Sequence, residues 1–168
     1  MVLLCKKIME HIGVSPERLR LEHLSAGEGI RFAEVVNDFN KKVMELGPLG
    51  KGEGIDENAL KSRLEVVTNL VPYIRLVERE RLRLPEKSEE EYRRFFTSDE
   101  FNRVFDETIA EKLAISQIIS ILREGPLTTG EIAKVLGLTP SEVSRHLNSS
   151  SRQRFVRYDQ GLKRYALA

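Results

Sequence analysis

The sequence predicts a mainly α-helical fold with a small β component, and three observations carry that expectation. Apolar residues recur every three or four positions, at Leu4, Ile8 and Ile12 and again at Leu60, Leu64, Val67, Val71 and Ile74, which is the period of an amphipathic helix. A Ser or Thr stands three residues before a Glu at Ser25/Glu28, Ser88/Glu91, Thr97/Glu100, Thr128/Glu131 and Thr139/Glu142, the spacing at which hydroxyl and carboxylate cap a helix start reciprocally. Strand-like alternation is confined to Arg18–His23 and to the final residues from Phe155. The expected organisation is an N-terminal helix-strand-helix fragment over 1–48, a helical connector over 49–109 and a C-terminal module over 110–168.

Composition narrows the class. A chain of 168 residues, 40% hydrophobic and 32% charged, suits two small globular domains. No apolar segment approaches bilayer length, and Lys6 and Lys7 follow directly on the first five residues instead of a signal-peptide core. These features predict a cytoplasmic protein with no membrane association. One cysteine excludes an internal disulfide framework, and the run Glu78-Arg79-Glu80-Arg81 would suit a heat-adapted protein.

In chain order, residues 1–12 read as an amphipathic helix stopped at Gly13, with Cys5 as a packed side chain rather than a redox thiol. Arg18-Leu19-Arg20-Leu21-Glu22-His23 alternates and reads as a strand with Leu19 and Leu21 on its buried side. A lone strand leaves backbone groups unpaired on both edges, so either a symmetry mate or another subunit adds a strand to it, or the segment is not a strand. Ser25 and Glu28 then cap a helix carrying Phe32, Ala33, Val36, Phe39 and Val43. Gly47 to Gly54 holds four glycines and a proline in eight residues, read as a flexible join. The stripe from Leu60 to Ile74 is core or, alternatively, a homodimer seam, with Pro72 expected to kink or restart its helix. Past Pro85, Ser88 caps a short helix and Thr97 the next, which runs through Phe101 and Phe105 toward Ile115.

The C-terminal module is the most legible part. Ile115, Ile118, Ile119 and Leu122 form a helix ending at Gly125-Pro126, Thr128 opens a second helix closed at Gly137, and Thr139 with Pro140 opens a third. Phe155 to Tyr158 and Lys163 to Leu167 flank Asp159-Gln160-Gly161 as a β-hairpin. Two capped helices across a tight Gly137-Leu138 turn, followed by a hairpin, describe a winged helix-turn-helix. With Val143 and Leu147 inward, Ser141, Ser144, Arg145 and Asn148 face outward, and Arg157, Lys163 and Arg164 lie on the wing. These seven are the candidate contacts to double-stranded DNA. From Lys112 onward nine Lys or Arg face four Asp or Glu, a net +5, against +1 for the whole chain, and such a basic module suits duplex binding. Protein docking is the competing use of the fold, and Glu142 at the front of the third helix weakens phosphate attraction.

Within the first 48 residues, Leu3-Leu4-Cys5-Lys6-Lys7-Ile8-Met9-Glu10, Ser15-Pro16-Glu17-Arg18-Leu19-Arg20-Leu21-Glu22, Ser25-Ala26-Gly27-Glu28-Gly29, Arg31-Phe32-Ala33-Glu34-Val35-Val36-Asn37 and Leu46-Gly47-Pro48 follow one another. This succession resembles the end of the delta subunit of methyl-viologen-reducing hydrogenase. The resemblance implies an accessory, non-catalytic component of an oxidoreductase complex. Its role would be electron transfer between hydrogenase, or formate dehydrogenase, and heterodisulfide reductase, as in methanogenesis, with subunits of those enzymes as partners. In that family the strand would belong to a larger sheet, so the resemblance implies either a relic or a fragment that a separately encoded partner completes. The family's cluster-binding cysteines lie upstream of the matched segment, so none carries over, and Cys5 matches none of them. An iron-sulfur cluster takes four thiolates, or thiolates with histidine. With one cysteine, and with His11, His23 and His146 at no ligand spacing, the expectation is no cofactor, no metal site and no catalytic residue in this chain. The alternative expectation is a dimeric winged-helix DNA-binding transcriptional regulator.

Overall fold

The computed structural model describes residues 1–84 and 88–168. The chain forms two compact units, Met1–Lys61 with Ser88–Phe96, and Ser62–Lys87 with Thr97–Ala168.

In the first unit, α1 (Val2–His11) buries Leu4 and Ile8, and Ile12 and Val14 continue that apolar line past Gly13. A single 3-10 turn, Pro16–Arg18, follows, with the Ser15 hydroxyl accepting from the Glu17 amide. The strand expected over Arg18–His23 is absent. Leu19 is extended, yet the following residues pair with no neighbour, and Leu21 is 57% exposed rather than inward. Backbone alternation alone does not make a strand when no second strand supplies donors and acceptors. This segment is held instead by the Arg20 side chain, which meets Asp38 at 2.7 Å, and Glu17 of the preceding turn meets Lys42 at 3.2 Å, both tying this stretch to α2 (Gly29–Leu46). The N-terminal fragment is therefore helix, turn and helix.

The start of α2 also differs. Glu28 itself occupies the N-cap position, and its carboxylate accepts from the Ser25 amide at 2.7 Å. The Glu28 amide turns back to the Ser25 carbonyl, so the reciprocal hydroxyl half of the expected box is replaced by a backbone turn.

The glycine-rich segment is a folded clamp. Glu53 accepts from the Ser15 and Gly50 amides at 3.2 and 2.9 Å, and Arg18 Nε donates to it at 2.6 Å. Arg18 Nη2 reaches the Glu53 carboxylate and the Leu46 and Pro48 carbonyls, so the end of α2 and the loop close on one guanidinium. A Cβ at Gly52 would overlap the Leu46 carbonyl oxygen, and Gly50 sits at φ +80° against the Leu60 side chain. Glycine serves here for close approach rather than for flexibility.

The next helix, α3 (Glu57–Arg81), is one helix that includes Pro72. The expected seam splits: Leu60 and Ile74 are buried, while Leu64 and Val71 are exposed. A strict heptad stripe would stay inward only on a helix wound about a partner. The first unit is completed by α4 (Glu89–Phe96), with Ser88 Oγ accepting from the Glu91 amide and Phe96 buried.

In the second unit, α5 (Asp99–Phe105) starts one residue later than expected, with the Ser98 rather than the Thr97 hydroxyl accepting from Phe101. A π turn, Asp106–Ala110, then joins it to α6 (Glu111–Leu122), burying Phe101, Phe105, Ile109 and Leu113. The buried line of α3 in this unit runs through Val66, Ile74 and Val77, and Val66 and Leu70 face Ser116 and Ile119 of α6 across a groove.

The end of the second unit is α7 (Thr129–Leu136), α8 (Pro140–Arg152) and an antiparallel hairpin of β1 (Val156–Asp159) and β2 (Arg164–Leu167). Val156 pairs with Leu167 and Tyr158 with Tyr165, and Leu127 bridges to Tyr165. Ile118, Leu122, Ile132, Ala133, Val143, Leu147 and Val156 form its core. The architecture is the winged helix-turn-helix that the caps and glycines predict.

Candidate nucleic-acid interface

The two helices of the turn are fixed by local chemistry. Thr128 and Glu131 form a complete capping box at α7, as do Thr139 and Glu142 at α8. Gly137 closes α7 in the left-handed region at φ 69°, where a Cβ would be strained. With both ends pinned and Val143 and Leu147 fully buried, the opposite face of α8 has only one direction to point.

That face brings Ser141, Ser144, Arg145 and Asn148 together, joined by Ser149, Arg152 and Gln153, along an open groove of about 590 Å³. Among the described residues, Ser144, Arg145, Asn148 and Arg152 make no side-chain hydrogen bond or ion pair, so a phosphate or base edge would meet donors not already committed. Ser149 is half engaged, donating to Glu111 at 3.0 Å and accepting from Gln153 at 3.4 Å. Arg152 is not among the seven residues that the sequence points to. Its signal is nonetheless present, since it continues the four-residue step from Ser144 and Asn148.

Glu142 is turned to internal work. Its carboxylate accepts from the Thr139 hydroxyl at 2.7 Å and amide at 2.8 Å. The Thr139 hydroxyl and amide, with Arg145 close by, hold it below the usual carboxylate range. Its negative charge stays at the helix start, where the dipole favours it.

The wing residues separate. Lys163 is exposed at the hairpin turn with φ 52°. Arg157 is exposed and uses only Nε, donating to the Leu167 carbonyl at 3.3 Å. Arg164 points back instead, donating to the Pro126 carbonyl and to Glu131, both at 3.0 Å. It ties the wing root to the start of α7 and is not brought to the α8 groove. Among the described residues, no three His, Cys, Asp or Glu side chains converge.

Two family models match this chain. "Methyl-viologen-reducing hydrogenase, delta subunit" matches residues 1–47, and "Bacterial regulatory protein, arsR family" matches residues 116–158. An iron-sulfur subunit of the F420-non-reducing hydrogenase of Archaeoglobus profundus is 44% identical over 45 residues, 27% of this chain and 33% of that protein. The vhu iron-sulfur subunit of the F420-non-reducing hydrogenase of Methanopyrus kandleri is 36% identical over 44 residues, 26% of this chain and 33% of that protein. A match of the same length, 45 residues at 44% identity, is made with one subunit of the ferredoxin/F420H2-dependent CoB-CoM heterodisulfide reductase of Methanosarcina acetivorans, covering 27% of this chain and 6% of that protein. The chain thus spans about a third of the hydrogenase subunits it matches. No solved structure matches it significantly.

The iron-sulfur description of those hydrogenase relatives meets a poor donor set here. Cys5 is the single cysteine and lies half-buried in α1, whereas a cluster needs four ligands of thiolate or thiolate-imidazole type. The residues present do not fit one.

Proposed function

We propose that this chain is a non-catalytic accessory component of an electron-transfer system linking hydrogenase, or formate dehydrogenase, with heterodisulfide reductase. In this reading its first unit engages a redox subunit and its own residues carry no electrons. The observation that carries it is that the N-terminal segment matches both an iron-sulfur subunit of a hydrogenase and a component of a heterodisulfide reductase, while a single thiol leaves no means to hold a cluster. Anaerobic affinity purification from the native cell tests the reading. A cysteine-rich subunit of either enzyme is expected in stoichiometric amount, and a protein free of any redox subunit would refute it.

A second reading is favoured by the α8 face, namely that the winged helix binds double-stranded DNA. Uncommitted Arg145 and Arg152, with Arg157 and Lys163 of the wing, supply phosphate contacts, and Ser144 and Asn148 reach toward base edges. Affinity for a duplex should fall linearly on a log-log salt plot, with a slope of about −0.9 per phosphate neutralised. Binding that ignores salt, or that survives Arg145→Gln with the slope unchanged, would exclude this face.

A further inference from the structure

The first unit carries a helix whose apolar residues are only partly covered, with Val35, Phe39, Val43 and Leu46 half-buried. α2 has eighteen residues and strong amphipathic character, yet none of them is buried. Phe32 is 58%, Val36 47% and Met44 74% exposed, and with Asn40 they step by four along one ridge. Ala33 and Asn37 flank that ridge and are exposed too. The ridge is uncharged from end to end. Of the charges elsewhere on α2, Asp38 pairs with Arg20, Lys42 with Glu17 and Arg31 with Glu28, while Glu34, Lys41 and Glu45 are exposed to solvent. A ridge of uncharged i, i+4 side chains fits the groove of another apolar helix, and with exposed Glu34 and Glu45 beside Lys41 the helix offers no basic patch to a nucleic acid or an anionic surface.

We propose that the Phe32–Val36–Met44 ridge of α2 is the surface that docks an iron-sulfur polypeptide of the hydrogenase and heterodisulfide reductase system. The proposal rests on the accessory reading above and names the face that serves it. The occupant is argued from two observations. The matched span ends with α2, and in the relatives it is a third or less of the chain, so there the same helix is accompanied by far more polypeptide than the first unit holds. The ridge is also uncharged and, apart from Asn40, apolar, which suits protein packing. Exposed apolar side chains of this kind on one face mark an interaction site, and large side chains such as Phe32 and Met44 suit the desolvated centre of an interface.

The test is site-specific photocrosslinking of the full chain in the native cell. A photoreactive phenylalanine analogue replaces Val36 in one sample and Lys134 of α7 in a control, with and without Met44→Asp. Capture of an iron-sulfur polypeptide from position 36 only, reduced at least tenfold by Met44→Asp, is the expected result. Because Met44 is exposed, that variant should keep the wild-type circular dichroism spectrum. Capture of a second copy of this chain, of lipid, or of nothing overturns the proposal. If an iron-sulfur polypeptide still co-purifies while the crosslink fails or ignores Met44→Asp, the accessory reading stands and the face is wrong. If no redox protein co-purifies at all, both fall.

Discussion

Replacing Glu53 by Gln probes the clamp that shapes the first unit. The carboxylate meets Arg18 at 2.6 Å, with the two side chains 10% and 9% exposed, and it takes amides of Ser15 and Gly50 as well. Glutamine keeps one acceptor oxygen but leaves a mostly buried guanidinium without its counter-charge. Breaking one partner of such a pair costs about 3 kcal/mol or more, a large part of the margin of a small unit. Arg18 and its hydrogen-bonded amides hold the Glu53 carboxyl down to about 2, from an ordinary value of 4.5. A carboxylate with a depressed folded-state pKa stabilises fully above its unfolded value and loses that contribution as pH falls through the folded one. Glu53 therefore stabilises the unit above pH 4.5, progressively less between 4.5 and about 2, and Glu53→Gln should abolish that dependence. Because the chain has two units, global melting is not a two-state readout, and amide hydrogen exchange resolves each unit separately. Protection in α1 and at the end of α2 should drop about a hundredfold at pH 7, with the amides of Ile118 and Val143 unchanged. Equal protection in wild type and variant, or the same loss between pH 4.5 and 2 in both, would refute the clamp.

Two further comparisons separate roles that look alike in sequence. Gly52→Ala places a methyl group against the Leu46 carbonyl and should destabilise the first unit by about 2 kcal/mol or more; Gly54→Ala meets no neighbour but carries φ +69°, so its cost should stay near about 1 kcal/mol. Hydrogen exchange of α1 compares them, and equal effects would show that the close approach at Gly52 is unimportant. Arg164→Gln should loosen β2, seen as faster exchange of the Tyr165 amide, and cost at most about 1 kcal/mol because Arg164 and Glu131 are over a third exposed. It should leave the salt slope of duplex binding unchanged, whereas Arg145→Gln should lower that slope by about 1. The reverse pattern would make Arg164 the contact and Arg145 the brace.

What the sequence makes legible follows from how local the determining chemistry is. The capping boxes at Thr128 and Thr139, the left-handed Gly137 and the hairpin at Asp159 are settled by residues within a few positions of one another. The composition of Gly47–Gly54 points to slack chain, but its conformation is set by Arg18, far upstream, and no local rule registers that partner. The missing strand has the same cause, since alternation at Leu19 and Leu21 states a preference that only a neighbouring strand can satisfy. On the recognition helix, spacing places Arg145 and Asn148 outward, and the same step extends to Arg152. It does not separate Arg157 and Lys163 from Arg164, because the distinction lies in where a long guanidinium finds acceptors across the fold.

Iron stoichiometry, measured on this chain purified anaerobically first alone and then with its captured partner, tests the central claim most directly. The account predicts well under one iron per chain and no redox-active paramagnetic signal alone, with iron appearing in proportion to the cysteine-rich partner. Stoichiometric, redox-active iron on the isolated chain would contradict it.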